Sequence, residues 1–270
     1  MEKFYLKAIS AYDRADDGDG KAETLYILGE AQNSQHRYSE AEDAVTEALA
    51  IWTSLGDERG QAAASLLLAS IFLSQSKDAE GVDALIQAEV ALARTGQDVH
   101  RAGALDLLGY IHFTQGMYVK AEELHQLAQA ISSSISDAGG EARASLNLGK
   151  VYSHQDRHNE AQECFAHSRD AYARCADEAG EAEALEGLMT SYFVQRKFED
   201  LKASYIEACK FYTRTGRTMG EACAEIREYF QDLEEPTKTQ DSLMPQVAPD
   251  GAPSSDEDPG CFTTARDEAP

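Results

Sequence analysis

Proline is absent from the first 235 residues, and all six prolines lie between Pro236 and Pro270. Because proline breaks a helix interior, this absence allows uninterrupted helices over most of the chain. Long apolar runs are missing too. The longest, from Leu66 to Leu73, is interrupted by Ser70 and is far too short to span a bilayer. The composition therefore favours a helical protein without membrane spans.

Basic residues are scarce: 24 Lys and Arg stand against 48 Asp and Glu, which gives a net charge of −24. Such a chain repels phosphate backbones and anionic membranes, so nucleic acids and membrane surfaces are excluded as general partners. The N-terminus lacks a basic patch followed by an apolar run, and the five cysteines are scattered and odd in number. We therefore expect a cytoplasmic protein with free thiols, in which Cys164 and Cys209 are buried beside core alanines.

The sequence contains no Gly-rich phosphate-binding loop, no His-Glu-x-x-His and no Cys-x-x-Cys motif. The group His154, Asp156, His158 and Glu160 has the residue types of a metal site. It spans a predicted turn rather than one helical face, so a solvated turn is favoured. We therefore predict no catalytic, cofactor or metal site, and hence no enzyme.

What the sequence does contain is an internal repeat of forty residues. Three residue types return in register in five consecutive units: leucine (Leu28, Leu68, Leu108, Leu148, Leu188), alanine (Ala22, Ala62, Ala102, Ala142, Ala182) and glutamine (Gln35, Gln75, Gln115, Gln155, Gln195). A glycine also recurs and is replaced in one unit by His100: Gly20, Gly60, Gly140, Gly180, Gly220. Joint recurrence without an insertion indicates a tandem array in which each unit stacks on its neighbours.

Each unit is predicted to form two helices joined by a short polar turn, as in residues 60–74 and 78–95. Aspartates precede the first helices, where a carboxylate accepts from free backbone amides: Asp17, Asp57, Asp137, Asp177. Glycines follow several second helices, where a left-handed residue ends a helix most easily: Gly56, Gly96, Gly216. These signals predict where the helices begin and end.

The repeat resembles the tetratricopeptide repeat. The fourth unit carries the resemblance best, with Leu148, Gly149, Tyr152, Gln155, Ala161 and Phe165. The usual unit has about 34 residues and ends in proline, whereas these units are longer and end in a Gly–Asp type of turn. They are similar to the longer repeats of G-protein-signalling modulators and kinesin light chains. The resemblance implies an all-α, right-handed α-solenoid of about five helical hairpins, with a flanking helix at each end.

The predicted organisation is a solenoid over residues 1–232 and a tail over 233–270. The solenoid comprises a half repeat, five repeats and a capping helix: 1–15, about 20–59, 60–99, 100–139, 140–179, 180–219, and 220–232. The tail is acidic and proline-rich, with too few apolar residues to offset the entropy of ordering, so we expect it to be disordered.

The resemblance further implies that the first helices line a concave groove that binds a partner peptide or helix. Carried over by position in the repeat, the groove residues are Tyr26, Glu30, Leu73, Asp106, Tyr110, Phe113, Asn147, Lys150, Glu186 and Phe193. Leu73, Tyr110 and Phe113 are large and apolar, which indicates a docking patch, although packing against the adjoining helix is the alternative. The Lys and Asn clamp with which some family members bind chaperone C-termini is missing, because only Asn147 and Lys150 fit it.

We therefore predict a non-enzymatic protein-interaction scaffold without a cofactor. Its partner is expected to be a basic or amphipathic protein segment, because the chain is acidic overall, and a larger assembly is left open. The alternative is the C-terminal sensing or oligomerising segment of a larger signalling ATPase, which the start of the chain in the middle of a repeat favours.

Overall fold

The computed structural model describes residues 2–218, 220, 223 and 226–230. The described residues contain eleven long α-helices and no strand: α1 (Glu2–Ala15), α2 (Gly18–Ser34), α3 (Tyr38–Leu55), α4 (Glu58–Ser74), α5 (Asp78–Thr95), α6 (Asp98–Thr114), α7 (Tyr118–Ser134), α8 (Ala138–His154), α9 (His158–Cys175), α10 (Glu178–Val194) and α11 (Phe198–Thr215). One unit extends from Met1 to Ile226, and a second begins at Arg227, of which residues 227–230 are described and helical. The all-α class is confirmed.

The helices pack as successive hairpins, α2–α3, α4–α5, α6–α7, α8–α9 and α10–α11, and each second helix also packs on the first helix of the next hairpin. First helices touch one another directly in the pairs α2–α4, α6–α8 and α8–α10. Close approach of first helices is expected on the inner side of a curved stack. We call the surface formed by α2, α4, α6, α8 and α10 the inner face, and the surface formed by α1, α3, α5, α7, α9 and α11 the outer face.

The helices begin and end where the sequence indicates. Each of the four aspartates accepts a hydrogen bond from a backbone amide two or three residues later, as in Asp57 to Arg59 N (3.0 Å) and Asp137 to Gly140 N (3.1 Å). Gly56, Gly96 and Gly216 end second helices with φ of +72°, +67° and +69°, a conformation that costs least in glycine. The predicted caps are confirmed.

The recurring glycine has a packing reason at Gly20, Gly60 and Gly180, where an aromatic ring of the preceding helix lies against it. A Cβ on Gly60 would lie 2.3 Å from the Trp52 ring, so only glycine lets this aromatic side chain pack against the next first helix. Where His100 replaces the glycine, the residue at the Trp52 position is the smaller Leu92.

The in-register leucines form the interior. Their exposed fractions lie between 2% and 6%: Leu28, Leu68, Leu108, Leu148 and Leu188. The recurring alanines are buried beside them, and apolar side chains from one hairpin continue into the next. No single hairpin encloses this core, so stability depends on neighbouring repeats.

Two of the recurring glutamines, Gln75 and Gln155, belong to a contact between hairpins that the sequence alone did not explain. Glu122 of α7 accepts from Gln155 (3.4 Å) and Arg157 (2.8 Å) in the α8–α9 turn. Glu42 of α3 accepts in the same way from Gln75 (3.3 Å) and Lys77 (2.9 Å). These bonds tie the turns at 75–77 and 155–157 to the preceding hairpins.

Other expectations have mixed outcomes. Cys164 is half-buried, and burial raises the pKa of its thiol to about 11, but Cys209 is exposed and its expected burial was wrong. Ala208, the preceding residue, takes the core position and turns Cys209 outward. None of the described helices is long and apolar enough to cross a bilayer. The tail over 233–270 lies outside the described residues, as do positions 221, 222, 224, 225, 231 and 232 of the predicted capping helix.

Candidate functional site

Two adjoining clefts open on the inner face between α6, α8 and α10. The first has a volume of about 370 Å³ and includes Tyr110, Asn147 and Glu183 in its walls. The second, of about 470 Å³, includes Phe113, Phe165 and Glu186. Lys150 and Glu183 line both clefts, and their ion pair of 2.6 Å marks the boundary between them. Together the two clefts contain six of the ten predicted groove residues.

A buried polar network forms the floor of the first cleft. One carboxylate oxygen of Asp106 accepts from His125 Nδ1 (2.7 Å) and from Asn147 Nδ2 (3.0 Å), and the other accepts from Arg143 Nε (2.7 Å). The side chains of Asp106 and His125 are only 7% and 1% exposed. The network therefore links α6, α7 and α8 and fixes how Arg143 and Asn147 enter the cleft.

The network keeps Asp106 ionised. Burial alone would raise the pKa of Asp106, but the hydrogen bond and charge of His125 and the bonds from Asn147 and Arg143 outweigh it, so the pKa lies below its usual value. The guanidinium of Arg143 remains half-exposed, with 51% of its side chain accessible. The cleft thus presents a fixed cation above a fully hydrogen-bonded carboxylate.

Aromatic side chains support the second cleft. Phe113 meets the His154 ring edge-on at 5.0 Å, and Tyr118 stacks on His154 at 5.6 Å. Phe113 also contacts Tyr118, with ring centroids 5.8 Å apart. Phe113 is therefore held by its neighbours, whereas Tyr110, one turn earlier, is 50% exposed. Tyr110 is the more accessible of the two for a partner.

Glu186 closes the far end of the second cleft. It accepts from the Tyr212 hydroxyl (2.6 Å) and from the backbone amide of Gly220 (2.6 Å). Burial and the hydrogen bond to Glu186 raise the pKa of Tyr212. Glu186 therefore ties α10 to α11 as well as lining the cleft.

Four predicted groove residues lie outside both clefts. Tyr26 packs 5.9 Å from the Trp52 ring, and its burial and the nearby Glu30 raise its pKa to about 12. Leu73 is half-buried against Gly81 of its own hairpin, as the packing alternative predicted. Glu30 is exposed on α2, and Phe193 is half-buried in the last turn of α10.

Residues 100–188, from α6 into α10, match the family model of the tetratricopeptide repeat. These residues are built from tetratricopeptide repeats. The resemblance drawn from the sequence is confirmed, and a search of curated proteins by sequence found no match.

Several solved structures share the fold of the array. BtubC (BKLC) of P. vanneervenii is 16% identical, with a TM-score of 0.67 over 81% of this chain and 92% of that one. A putative kinesin light chain of Podosopora anserina is 18% identical, with a TM-score of 0.58 over 73% and 96%. A signal transduction ATPase with a tetratricopeptide repeat sensor, from Pyrococcus horikoshii, is 15% identical, with a TM-score of 0.61 over 90% of this chain and 41% of that one. At these identities the likeness shows the fold.

Sequence reasoning missed the roles of His125 and Arg143 in the network below the first cleft. The signal was present in the repeat register, since His125 stands where Val45 and Leu85 stand in the preceding units. A histidine at a repeat position that is otherwise apolar indicates a buried polar group that needs a partner. Asp106 and Arg143, at nearby positions of the repeat, could have been recognised as candidates.

Proposed function

We propose that this protein is a non-enzymatic interaction scaffold that holds a partner peptide or helix along the inner face, over α6, α8 and α10. The supporting observation is that six of the ten predicted groove residues line the same two adjoining clefts. They are Asp106, Tyr110, Phe113, Asn147, Lys150 and Glu186. Concave, partly apolar clefts with a few oriented polar groups are typical of binding sites.

The chemistry of the clefts favours an amphipathic partner. Tyr110, Phe113 and Phe165 offer apolar surface, while Lys150 and Glu183 offer opposite charges. A charged group of a bound segment can replace one partner of the Lys150–Glu183 ion pair, because this pair is partly exposed and therefore weak. The net acidity of the chain adds a preference for basic partners through its long-range field.

A non-enzymatic role is supported by the surroundings of the Asp106–His125 pair. An Asp–His pair can activate a nucleophile through the second ring nitrogen. Here His125 Nε2 is buried and has no hydrogen-bond partner, and the ring packs on Gly109. The free thiols of Cys164, Cys175 and Cys209 support placement in a reducing compartment such as the cytoplasm.

The test begins with peptides selected from a displayed library on the full chain, whose affinity is then measured by fluorescence anisotropy. Tyr110→Ala should weaken binding about tenfold or more, as expected for an aromatic anchor. Phe113→Ala should weaken it as well. Ile206→Ala is the matched control, because Ile206 is similarly exposed (46%) but lies on the outer face. Equal affinity of Tyr110→Ala and wild type for every selected peptide would refute the inner-face site.

A second candidate is the sensing segment of a signalling ATPase. It is supported by the ATPase with a tetratricopeptide repeat sensor, which matches 90% of this chain with 41% of its own. An antibody raised against the array should then detect, in extracts of the source cells, a protein much larger than 29.5 kDa. A single band near that mass would contradict this candidate and leave the scaffold proposal in place.

A further inference from the structure

The outer faces of the second helices can be compared position by position, because the repeat places them in one register. The position of Lys3 in α1 is occupied by Asp43 in α3 and by Asp83 in α5. The position of Lys7 is occupied by Glu47 in α3. All five side chains are exposed. The outer face of α1 therefore carries the charge opposite to that of its two neighbours.

The basic residues of α1 form a stripe. Lys3, Lys7 and Arg14 are spaced by four and seven residues, which places them on one side of the helix. None of them makes an ion pair with a described residue, although the chain carries twice as many acids as bases. Phe4 (76% exposed) and Leu6 (53%) flank the stripe. The helix thus presents unpaired cations together with exposed apolar side chains.

The outer side of α3 and α5 offers the complementary surface. A cleft of about 330 Å³ lies between these helices, with Leu49 and Thr53 on one wall and Ile86 and Val90 on the other. Ile86 and Val90 are 50% and 48% exposed, one turn apart on α5. The corresponding positions of α3 hold Thr46 and Ala50. Gln61 and Ser65 of α4 also line this groove, as does Arg94, which is paired with Glu58 (3.1 Å). Asp43 and Asp83 precede the lining residues on α3 and α5.

We propose that the outer face of α1 docks into the groove between α3 and α5 of a second copy of this chain, and that the same surfaces form the reciprocal contact. Lys3 and Lys7 of each copy then face Asp43, Glu47 and Asp83 of the other, while Leu6 covers Ile86. A two-fold axis makes both contacts at once, as in other isologous dimers. The dimer leaves the inner face open, so it is independent of the peptide site.

The dimensions are adequate for a stable dimer. Three neighbouring helices, each about 10 Å wide and up to about 27 Å long, present about 800 Å². This is what each partner contributes to a typical specific interface. Side chains of one copy fill the groove of the other, and the charge pattern selects α1 against α3 and α5 rather than like against like.

The first experiment measures the oligomeric state of the tag-free full chain by sedimentation equilibrium. The wild type should dimerise, whereas Lys3→Glu/Lys7→Glu and Asp43→Lys/Asp83→Lys should each raise the dimer Kd about tenfold or more. The control Lys202→Glu/Lys210→Glu makes the same charge change at exposed positions of α11 and should leave the Kd unchanged. Circular dichroism of each variant checks that the helices are retained.

The decisive experiment mixes the two reversed variants. Each variant alone repels itself, but in a mixed pair both α1 contacts join opposite charges again. An equimolar mixture should therefore recover dimers with an affinity near that of wild type. A wild type that stays monomeric up to about 100 μM, well above common interface affinities, would overturn the proposal. So would reversed variants that dimerise normally, or a mixture that stays monomeric.

Discussion

The junction between hairpins α4–α5 and α6–α7 differs in chemistry from the junction between hairpins α6–α7 and α8–α9, although both are formed by the same positions of the repeat. The former, the apolar junction, contains Leu66, Leu85 and Leu107 where the latter, the polar junction, contains Asp106, His125 and Asn147. Leu85 and His125 are equally buried, at 1% exposure. The backbone register therefore accepts either chemistry, and side chains alone decide what the inner face offers.

The two junctions also differ in how they are stabilised. The apolar junction gains from burial alone, whereas the polar junction needs every donor and acceptor to be satisfied. His125 Nε2 is buried without a hydrogen-bond partner, which costs stability. A polar network that is not fully satisfied is therefore best understood through what it presents to the cleft: an oriented Arg143 and Asn147.

The largest loss of stability is expected when Asp106 of the polar junction is replaced by leucine, the residue that the apolar junction has at the same position. Asp106→Leu leaves buried His125 and half-buried Asn147 without their acceptor and should lower the free energy of unfolding by about 3–5 kcal/mol. Urea unfolding followed by circular dichroism measures it. The control Leu66→Met should cost less than about 1.5 kcal/mol. A loss no larger than the control's would mean that the network contributes little.

Replacing all three polar residues by the leucines of the apolar junction should restore the lost stability. Asp106→Leu/His125→Leu/Asn147→Leu removes the acceptor together with the donors that needed it, and the half-exposed Arg143 can turn to water. The triple variant should be as stable as wild type or more stable by about 1–4 kcal/mol. The same unfolding assay applies. If it is as unstable as Asp106→Leu, shape rather than polarity distinguishes the junctions.

Acid should weaken the polar junction selectively. Because the pKa of Asp106 is lower in the folded chain than in the unfolded one, the folded state binds fewer protons. The resulting stability is fully present above the unfolded carboxyl value of about 4 and is lost as the pH falls through the folded value. The stability of wild type relative to the triple variant should therefore fall in this range. A pH-independent difference would contradict the role of Asp106.

The smallest effect is expected at the turn of the polar junction, where Glu122 and Arg157 stand at the positions of Val82 and Met117. The Glu122–Arg157 pair is partly exposed, with 19% and 36% of the two side chains accessible, so water screens it. Glu122→Val/Arg157→Met should change the free energy of unfolding by less than about 1 kcal/mol. A double-mutant cycle isolates the coupling, and a coupling above about 2 kcal/mol would make this turn a main link between the hairpins.

Much of the fold could be predicted because its signals are local or periodic. The capping aspartates, the terminal glycines and the buried leucines lie where the forty-residue register places them. The site was less accessible to such reasoning. Leu73 was assigned to the docking patch by its position, but it packs against Gly81, and Cys209 is exposed despite standing beside a core alanine.

By itself, the sequence determined the periodic part of this protein: stacked helical hairpins with a continuous core, because a helix buries whatever recurs on one of its faces. Only the tertiary structure decided which polar side chains meet. Asp106 and Asn147 lie 41 residues apart in the chain, yet a hydrogen bond joins them. Such a contact depends on how two hairpins stack, and the repeat pattern of either hairpin alone carries no information about it.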